Sequence, residues 1–401
     1  MKLRLSVAAL TDAVSYTARA LPARPPVPVL AGMLLTATPG ALHLAASDTE
    51  VYTADTTAAE VADEGQAVVS GRLLNDICAR LPKGADVDLE LVDKGSRLAV
   101  ASRAARFTLP VLPLNEYPAL PALPGAVATV PADTLARTVA QVAIAASTDQ
   151  TLPALTGIQL RLEGERLLLS ATDRYRIARH ELPLTLTAPA PRKPAAKRRK
   201  PEPGEGPDPA AKDAAAQALV PARALAEAAR ALDGEHALTL HWSEGLFGLS
   251  APTGRSYTTR VLSGYQFPKT DVLLEDIGAV ATWTLPVAEA AAALQRVALV
   301  AARNTPVLLV LDGATVRIEA GSGDDARGSD RVSVNTAGEL GDGFAIGFNP
   351  GYLADALKSL DAPEAELHIR KADKPVLLLP RLGEGAQTPY QHLLMPVRLS
   401  G

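Results

Sequence analysis

The chain has 401 residues, 47% of them hydrophobic and 21% charged, with a net charge of −4. That length is too great for one core and suits about three domains, and the charge balance argues against non-specific nucleic-acid binding by the whole surface while leaving room for a local basic face. No apolar run of about 18 residues predicts a membrane span, the start Met1–Val7 is too short an apolar core for a secretory signal, and a single cysteine, Cys78, excludes an internal disulfide and suits a reducing cytoplasm.

Taken in chain order, the first residues read as a strand. Leu10, Val14 and Ala18 then share one face of a helix from about Val7 to Leu21. Pro28-Val-Leu-Ala-Gly32 leads into apolar Met33-Leu-Leu and on to Leu42-His-Leu-Ala-Ala-Ser-Asp48. Val69 to Ile77 reads as a strand end, a turn and a short helix marked by Leu73, Ile77 and Leu81, and the alternation in Asp86–Leu91 predicts a strand. The proline-dense Pro118–Pro124 predicts an extended linker.

The same order then recurs. A helix carries Leu135, Val139, Val142 and Ala146 behind Pro131, read as a first-turn proline. Pro153-Ala-Leu-Thr-Gly157 is followed by Ile158–Leu162 and Leu167-Leu-Leu-Ser-Ala-Thr-Asp173. Val220–Ala226 repeats the strand-turn-helix motif, with Leu225, Ala229 and Leu232 on the helix, and Ala237–Trp242 alternates as a strand. Leu273 to Gly278 predicts a second linker. A third copy has Val287, Ala291, Leu294, Ala298 and Ala301 behind Pro286, strands at Thr305–Leu311 and Val316–Ala320, and Ile346–Leu357 leading into a helix with Leu353, Leu357 and Leu360.

Self-similarity at so long a period predicts a tandem array of one domain type. The fold class is α+β, with two helix-plus-sheet half-units per domain, and the domains run 1–122, 127–274 and 279–401. An insertion at about 188–216 interrupts the second. It is basic at Arg192–Lys200 and proline-rich beyond, cannot form a core and predicts a disordered surface loop. It reads either as a tether for nucleic acid or a partner, or as a merely solvated insertion.

Enzymatic motifs are missing from the sequence. The six histidines are scattered without metal-ligand spacing. There is no phosphate loop or nucleophile elbow, and nothing calls for a cofactor. Cys78 reads as a small core residue. Asp48 and Asp173 occupy the same repeat position and read as turn or cap residues.

Two surfaces remain. Arg19, Arg24, Arg72, Arg80, Lys83, Arg137, Arg223, Arg230, Arg296, Arg303 and Lys358 recur on the predicted helices or their edges. They suit sequence-independent phosphate contact or simple solvation. Leu155, Thr172, Tyr175, Ile177, Pro268, Leu273, Tyr352 and the tail Leu393–Leu399 suit a groove for a short apolar peptide, or core packing. The tail through Met395, Pro396 and Val397 is expected to close the molecule as a last strand.

Six motifs carry a resemblance: Leu21–Gly32, Phe107–Pro121, Ala171-Thr-Asp-Arg-Tyr-Arg176, Arg303-Asn-Thr-Pro-Val307, Ile346-Gly-Phe-Asn-Pro350 and Leu394-Met-Pro-Val-Arg-Leu399. In them the chain resembles the bacterial DNA polymerase III β subunits, the replicative sliding clamps, in their actinobacterial form. The resemblance implies a head-to-tail homodimer closed into a ring, with helices lining a bore that duplex DNA threads. It implies a cytoplasmic, nucleoid-associated, non-catalytic processivity factor without cofactors. Arg24 and the loop Thr148-Asp-Gln150-Thr-Leu152 would approach DNA. Replicative polymerase, clamp-loader and repair proteins would insert a short apolar motif into a groove of Leu155, Thr172, Arg174, Tyr175, Arg176, Ile177, Pro268, Leu273, Asn349, Tyr352, Pro375, Leu393, Leu394, Met395, Pro396, Val397, Arg398 and Leu399.

The chain departs from the family at Phe267-Pro-Lys-Thr-Asp-Val-Leu273, where Thr270 and Asp271 replace an aromatic and a basic residue. That departure suggests a specialised second clamp whose groove evades an inhibitor. The alternative is a protein-binding repeat scaffold that no longer loads on DNA.

Overall fold

The computed structural model describes residues 1–187, 216–243, 245–275, 277–301, 305–321, 326–383 and 388–398. The insertion, save residue 216, lies outside them, as do Arg303 and Leu399. The helices are α1 (Val7–Thr17), α2 (Gly71–Cys78), α3 (Ala132–Ala143), α4 (Ala222–Ala231), α5 (Asp271–Glu275), α6 (Val287–Ala298) and α7 (Pro350–Ser359).

Among the described residues, every helix but α5 starts at the end of a strand, as the recurring motif predicts. Pro131 and Pro286 close the strand instead of opening the helix, and Pro286 is the N-cap of α6 at φ −67°, ψ 122°. The fixed proline φ suits an extended residue as well as a helical one. Two starts are capped by side chains: Ser6 Oγ accepts from the Ala9 N–H at 3.1 Å, and Asn349 Oδ1 from the Tyr352 N–H at 3.1 Å. Such a cap satisfies a backbone donor that the first turn leaves open and contributes about 1 kcal/mol.

Two helices turn a different face inward than their periodicity suggests. In α2 the core takes Leu74, Ile77 and Cys78, and Leu73 faces solvent. The helix begins at Gly71, and the stripe that meets the sheet runs 74, 77, 78, 81. In α6 Ala290, Ala293, Leu294 and Val297 are buried. Its run of alanines offers no difference in size to mark the inner stripe. Burial pushes the Cys78 thiol up to about 12, which leaves it an inert core residue.

The chain divides into two compact units. The first comprises Met1–Ala136, the strand at 185–186 and Ala224–Ser263. Its described strands form one fourteen-stranded sheet, in which Val51–Ala58 lies beside Ser256–Arg260. Leu10, Val14, Met33, Leu35, Leu74 and Leu89 sit in its core cluster, each side chain contributing about 1.5–3 kcal/mol by burial.

The second unit comprises Arg137–Pro183, residues 216–223 and the described residues from Gly264 onward. Its described strands form a nine-stranded and a four-stranded sheet. In the larger, Arg176–Pro183 pairs with Arg166–Thr172 on one side and Tyr390–Leu394 on the other. The middle sequence repeat is therefore shared between the two units. Backbone ladders run across the repeat junctions, so compactness does not follow sequence similarity.

Two expectations need correction. The segment from Leu273 is no plain linker, because α5 covers Asp271–Glu275 and buries Leu274. The last strand ends at Leu394, and Met395–Arg398 continue irregularly. Pro396 has no N–H to extend the ladder. The tail is tied down by the Met395 N–H donating to the Tyr175 carbonyl and the Val397 N–H to the Gly347 carbonyl, both at 2.8 Å.

Candidate peptide groove and basic residues

The candidate groove centres on the turn between strands Arg166–Thr172 and Arg176–Pro183. Asp173 Oδ1 accepts from the N–H groups of Tyr175 at 2.9 Å and Arg176 at 3.0 Å. The Thr172 hydroxyl accepts from the Arg174 N–H at 3.2 Å and donates to the Arg176 carbonyl at 2.7 Å. Arg174 takes φ +82°, a left-handed conformation that few non-glycine residues adopt. The turn role expected of Asp173 is thus its observed role.

Arg176 is buried, and its guanidinium meets three groups. Nε lies 2.9 Å from Asp173 Oδ2, Nη1 lies 2.7 Å from Asp355 Oδ2, and Cζ sits 4.4 Å over the Tyr352 ring. Tyr352 stacks on its other neighbour, Tyr175, with centroids 6.2 Å apart. Tyr175 is 54% exposed. An exposed ring stacked on one that a buried, paired arginine holds is pre-ordered at little entropic cost to a ligand.

Below the turn, Ile177, Leu393, Leu377 and Leu274 form a buried apolar cluster, with Ile277 and Leu379 packed against it. Leu273 and Met395 remain exposed beside buried neighbours. Leu394 is buried opposite Arg176 and Val376 in the ladder. Asn349 caps α7 and so orients Tyr352. Leu155 is buried, and its carbonyl receives the Ser147 N–H, which anchors the loop carrying Thr148 and Gln150. Pro268 and Arg398 are exposed; Pro375, Pro396 and Val397 are half-buried.

Sequence reasoning missed Leu274, Leu377, Asp355, Arg161 and Arg179. The apolar run Val376–Leu379 is visible in the sequence, but nothing local assigns one of its leucines to Ile177. Asp271 looks like a bare charge reversal until its partners are seen: Arg161 Nη1 at 2.7 Å and Arg179 Nη1 at 3.5 Å.

A chain of buried polar groups supports the groove from behind. The Tyr390 hydroxyl lies 2.8 Å from both Ser359 Oγ and His392 Nδ1, and Gln141 donates to the Ser359 carbonyl at 2.8 Å. Burial lowers the His392 pKa to about 3, so the ring is neutral near pH 7.

The basic residues are exposed in both units. In the first, Arg72 donates to the Pro22 carbonyl at 2.8 Å, Arg80 to the Asp76 carbonyl at 2.9 Å, and Arg230 pairs with Glu227. Arg24 and Lys83 have no ion pair among the described residues. In the second, Arg296 pairs with Asp330 at 2.7 Å, while Arg137, Thr148, Gln150, Arg223 and Lys358 are exposed. Arg230, Arg296 and Lys358 lie in the last turns of α4, α6 and α7, where a cation is favoured by the helix dipole. Among the described residues no group of acidic, histidine or cysteine side chains could hold a metal ion.

These features define a class: an α+β repeat protein whose candidate site is an exposed, braced tyrosine beside a buried apolar cluster. Models of the N-terminal, central and C-terminal domains of the DNA polymerase III beta subunit match residues 1–121, 129–197 and 280–398. The chain is 42% identical to the beta sliding clamp of Streptomyces coelicolor over the full length of both, and 34% identical to the beta sliding clamp homolog GriR of Streptomyces muensis over 99% of both. The DNA polymerase sliding clamp from Caulobacter crescentus has the same fold, with a TM-score of 0.84 at 26% identity over all of both chains. The chain belongs to the DNA polymerase III beta subunit family, the sliding clamps.

Proposed function

We propose that this chain closes head-to-tail with a second copy into a ring around duplex DNA, and that it tethers a polymerase, clamp loader and repair proteins through the groove at Thr172–Ile177. The observation that carries the reading is the pre-ordered Tyr175–Tyr352–Arg176 stack above a buried leucine–isoleucine cluster. Such a surface takes an extended apolar segment and performs no bond chemistry. A tethered polymerase rebinds intramolecularly, so processivity rises without catalysis.

The reading assigns domains at 1–122, 127–274 and 279–401, and a cytoplasmic, nucleoid-associated site of action; no described helix is long and apolar enough to cross a membrane. It assigns weak phosphate contact to Arg24, Lys83, Arg137, Arg223 and Lys358, and also to Thr148 and Gln150. Arg72, Arg80, Arg230 and Arg296 contribute less, because other groups already engage them. For the dimer, Leu299 at the end of α6 is 85% exposed, and Phe107 is exposed on the strand Ala105–Leu112. A second copy would cover both. Retention on circular but not linearised DNA after loading tests the ring. Equal loss from both forms would favour a protein-binding scaffold that does not encircle DNA.

A specialised, inhibitor-evading clamp is the second reading. Thr270 and Asp271 beside the candidate groove favour it. Titration with a generic clamp-binding peptide decides it: affinity equal to that of an ordinary clamp removes its basis.

A further inference from the structure

The wall of the groove formed by α5 is held by charge. Asp271 opens the helix, and its carboxylate reaches Arg161 Nη1 at 2.7 Å and Arg179 Nη1 at 3.5 Å. These arginines come from strands Gly157–Glu163 and Arg176–Pro183, and their side chains are only 23% and 14% exposed. Glu163 lies 2.6 Å from Arg161 Nε, Glu181 lies 3.2 Å from Arg179 Nη2, and Arg166 reaches Glu181 at 3.4 Å. Arg161, Arg166 and Arg179 therefore balance Glu163, Glu181 and Asp271. Of these six, Asp271 is the one that α5 supplies.

A five-residue helix does not hold itself in water. Two contacts fix α5: Leu274 in the apolar cluster and Asp271 in the charge network. Between them Val272 and Leu273 are 73% and 48% exposed. We infer that Asp271 is a positioning residue for partner binding: it locks α5 against the sheet so that Leu273 stands at the groove rim. A basic side chain at 271 would meet Arg161 and Arg179 with like charge, so in this chain the reversed sign is what the surrounding network requires. The inference rests on the groove reading above.

Asp271→Ala and Asp271→Asn in the full chain test it by two readouts. One is amide hydrogen exchange of residues 272–275 in the free protein. The other is a polarisation titration with a labelled hexapeptide rich in leucine and phenylalanine. In Asp271→Ala, exchange at 272–275 accelerates while the strand Arg176–Pro183 keeps its protection, and the peptide Kd weakens about fivefold. Asp271→Asn falls between. Unchanged exchange, or faster exchange with parental affinity, overturns the inference. A parent chain that does not bind the peptide overturns the groove reading itself, and that result is seen before any variant is made.

Discussion

The hairpin turn at Asp48 and the one at Asp173 share their chemistry and differ in what surrounds them. In both, one aspartate oxygen accepts two successive N–H groups: Glu50 and Val51 at 3.0 and 2.7 Å, Tyr175 and Arg176 at 2.9 and 3.0 Å. In both, the next residue takes φ +82° and its N–H is received by a hydroxyl, that of Ser47 or of Thr172. A neighbouring strand end donates to both, Arg260 to the Glu50 carbonyl at 2.9 Å and Met395 to the Tyr175 carbonyl at 2.8 Å.

The ladders align Ile177, Leu393 and Leu377 in one unit with Tyr52, Thr258 and Gly248 in the other. At the first turn the Tyr52 hydroxyl and Arg260 Nε both donate to the Thr49 carbonyl, at 2.6 and 3.0 Å. A side chain on Gly248 would meet Leu123 Cδ2 at 3.0 Å, so the linker leucine fills the place where the groove's cluster would stand. The turn is scaffold in both units. Only the second is flanked by the buried Ile177–Leu393–Leu377–Leu274 cluster and an exposed, braced tyrosine, and that flank is what makes it the candidate binding surface.

The largest expected break in this comparison comes from Asp173→Ala. It removes two turn hydrogen bonds and leaves buried Arg176 with only one of its two carboxylates, Asp355, so it should cost about 2–4 kcal/mol and abolish peptide binding. Asp48→Ala loses the turn bonds alone, should cost about 1–2 kcal/mol, and should leave binding intact. Denaturant titration and peptide titration of the pair read both effects.

Acid should separate the two units next. His392 pairs with Leu378 where the first unit has Tyr257 opposite Leu249. Its folded pKa of about 3 lies below the ordinary 6.5 because burial disfavours the charged ring. The unfolded chain therefore binds the proton first. Stability from the neutral ring is complete above pH 6.5 and is lost as pH falls toward 3. Thermal melts across that range should show the loss, and His392→Gln should flatten it.

The smallest effect sharpens the likeness. Thr49 is β-branched in a left-handed conformation, so Thr49→Gly should relieve strain and lose little. A change in denaturation midpoint of at most about 1 kcal/mol is expected. A large loss would mean that the Thr49 side chain, and not its backbone, holds the turn.

Local chemistry was legible at both turns. The repeat of Asp48 and Asp173, the strand-to-helix junctions and the leucines of α4 and α7 could all be read from short windows, because each depends on neighbours within a few residues. The inner faces of α2 and α6 could not, since the register against the sheet selects among nearly equivalent small side chains. Asp271 was the clearest failure of local reading: it stood out as a reversed charge, and its meaning lay in two arginines more than a repeat element away.

The amino-acid order alone determined the threefold duplication, the α+β alternation and the turn that recurs with it, since periodicity and capping act over a few residues. Tertiary structure alone decided which turn gained an apolar cluster beside it, that Arg176 meets Asp355, and that the middle repeat is divided between two sheets. Those outcomes depend on ladders and ion pairs that close across long stretches of chain, and no short-range pattern encodes which distant partner will arrive.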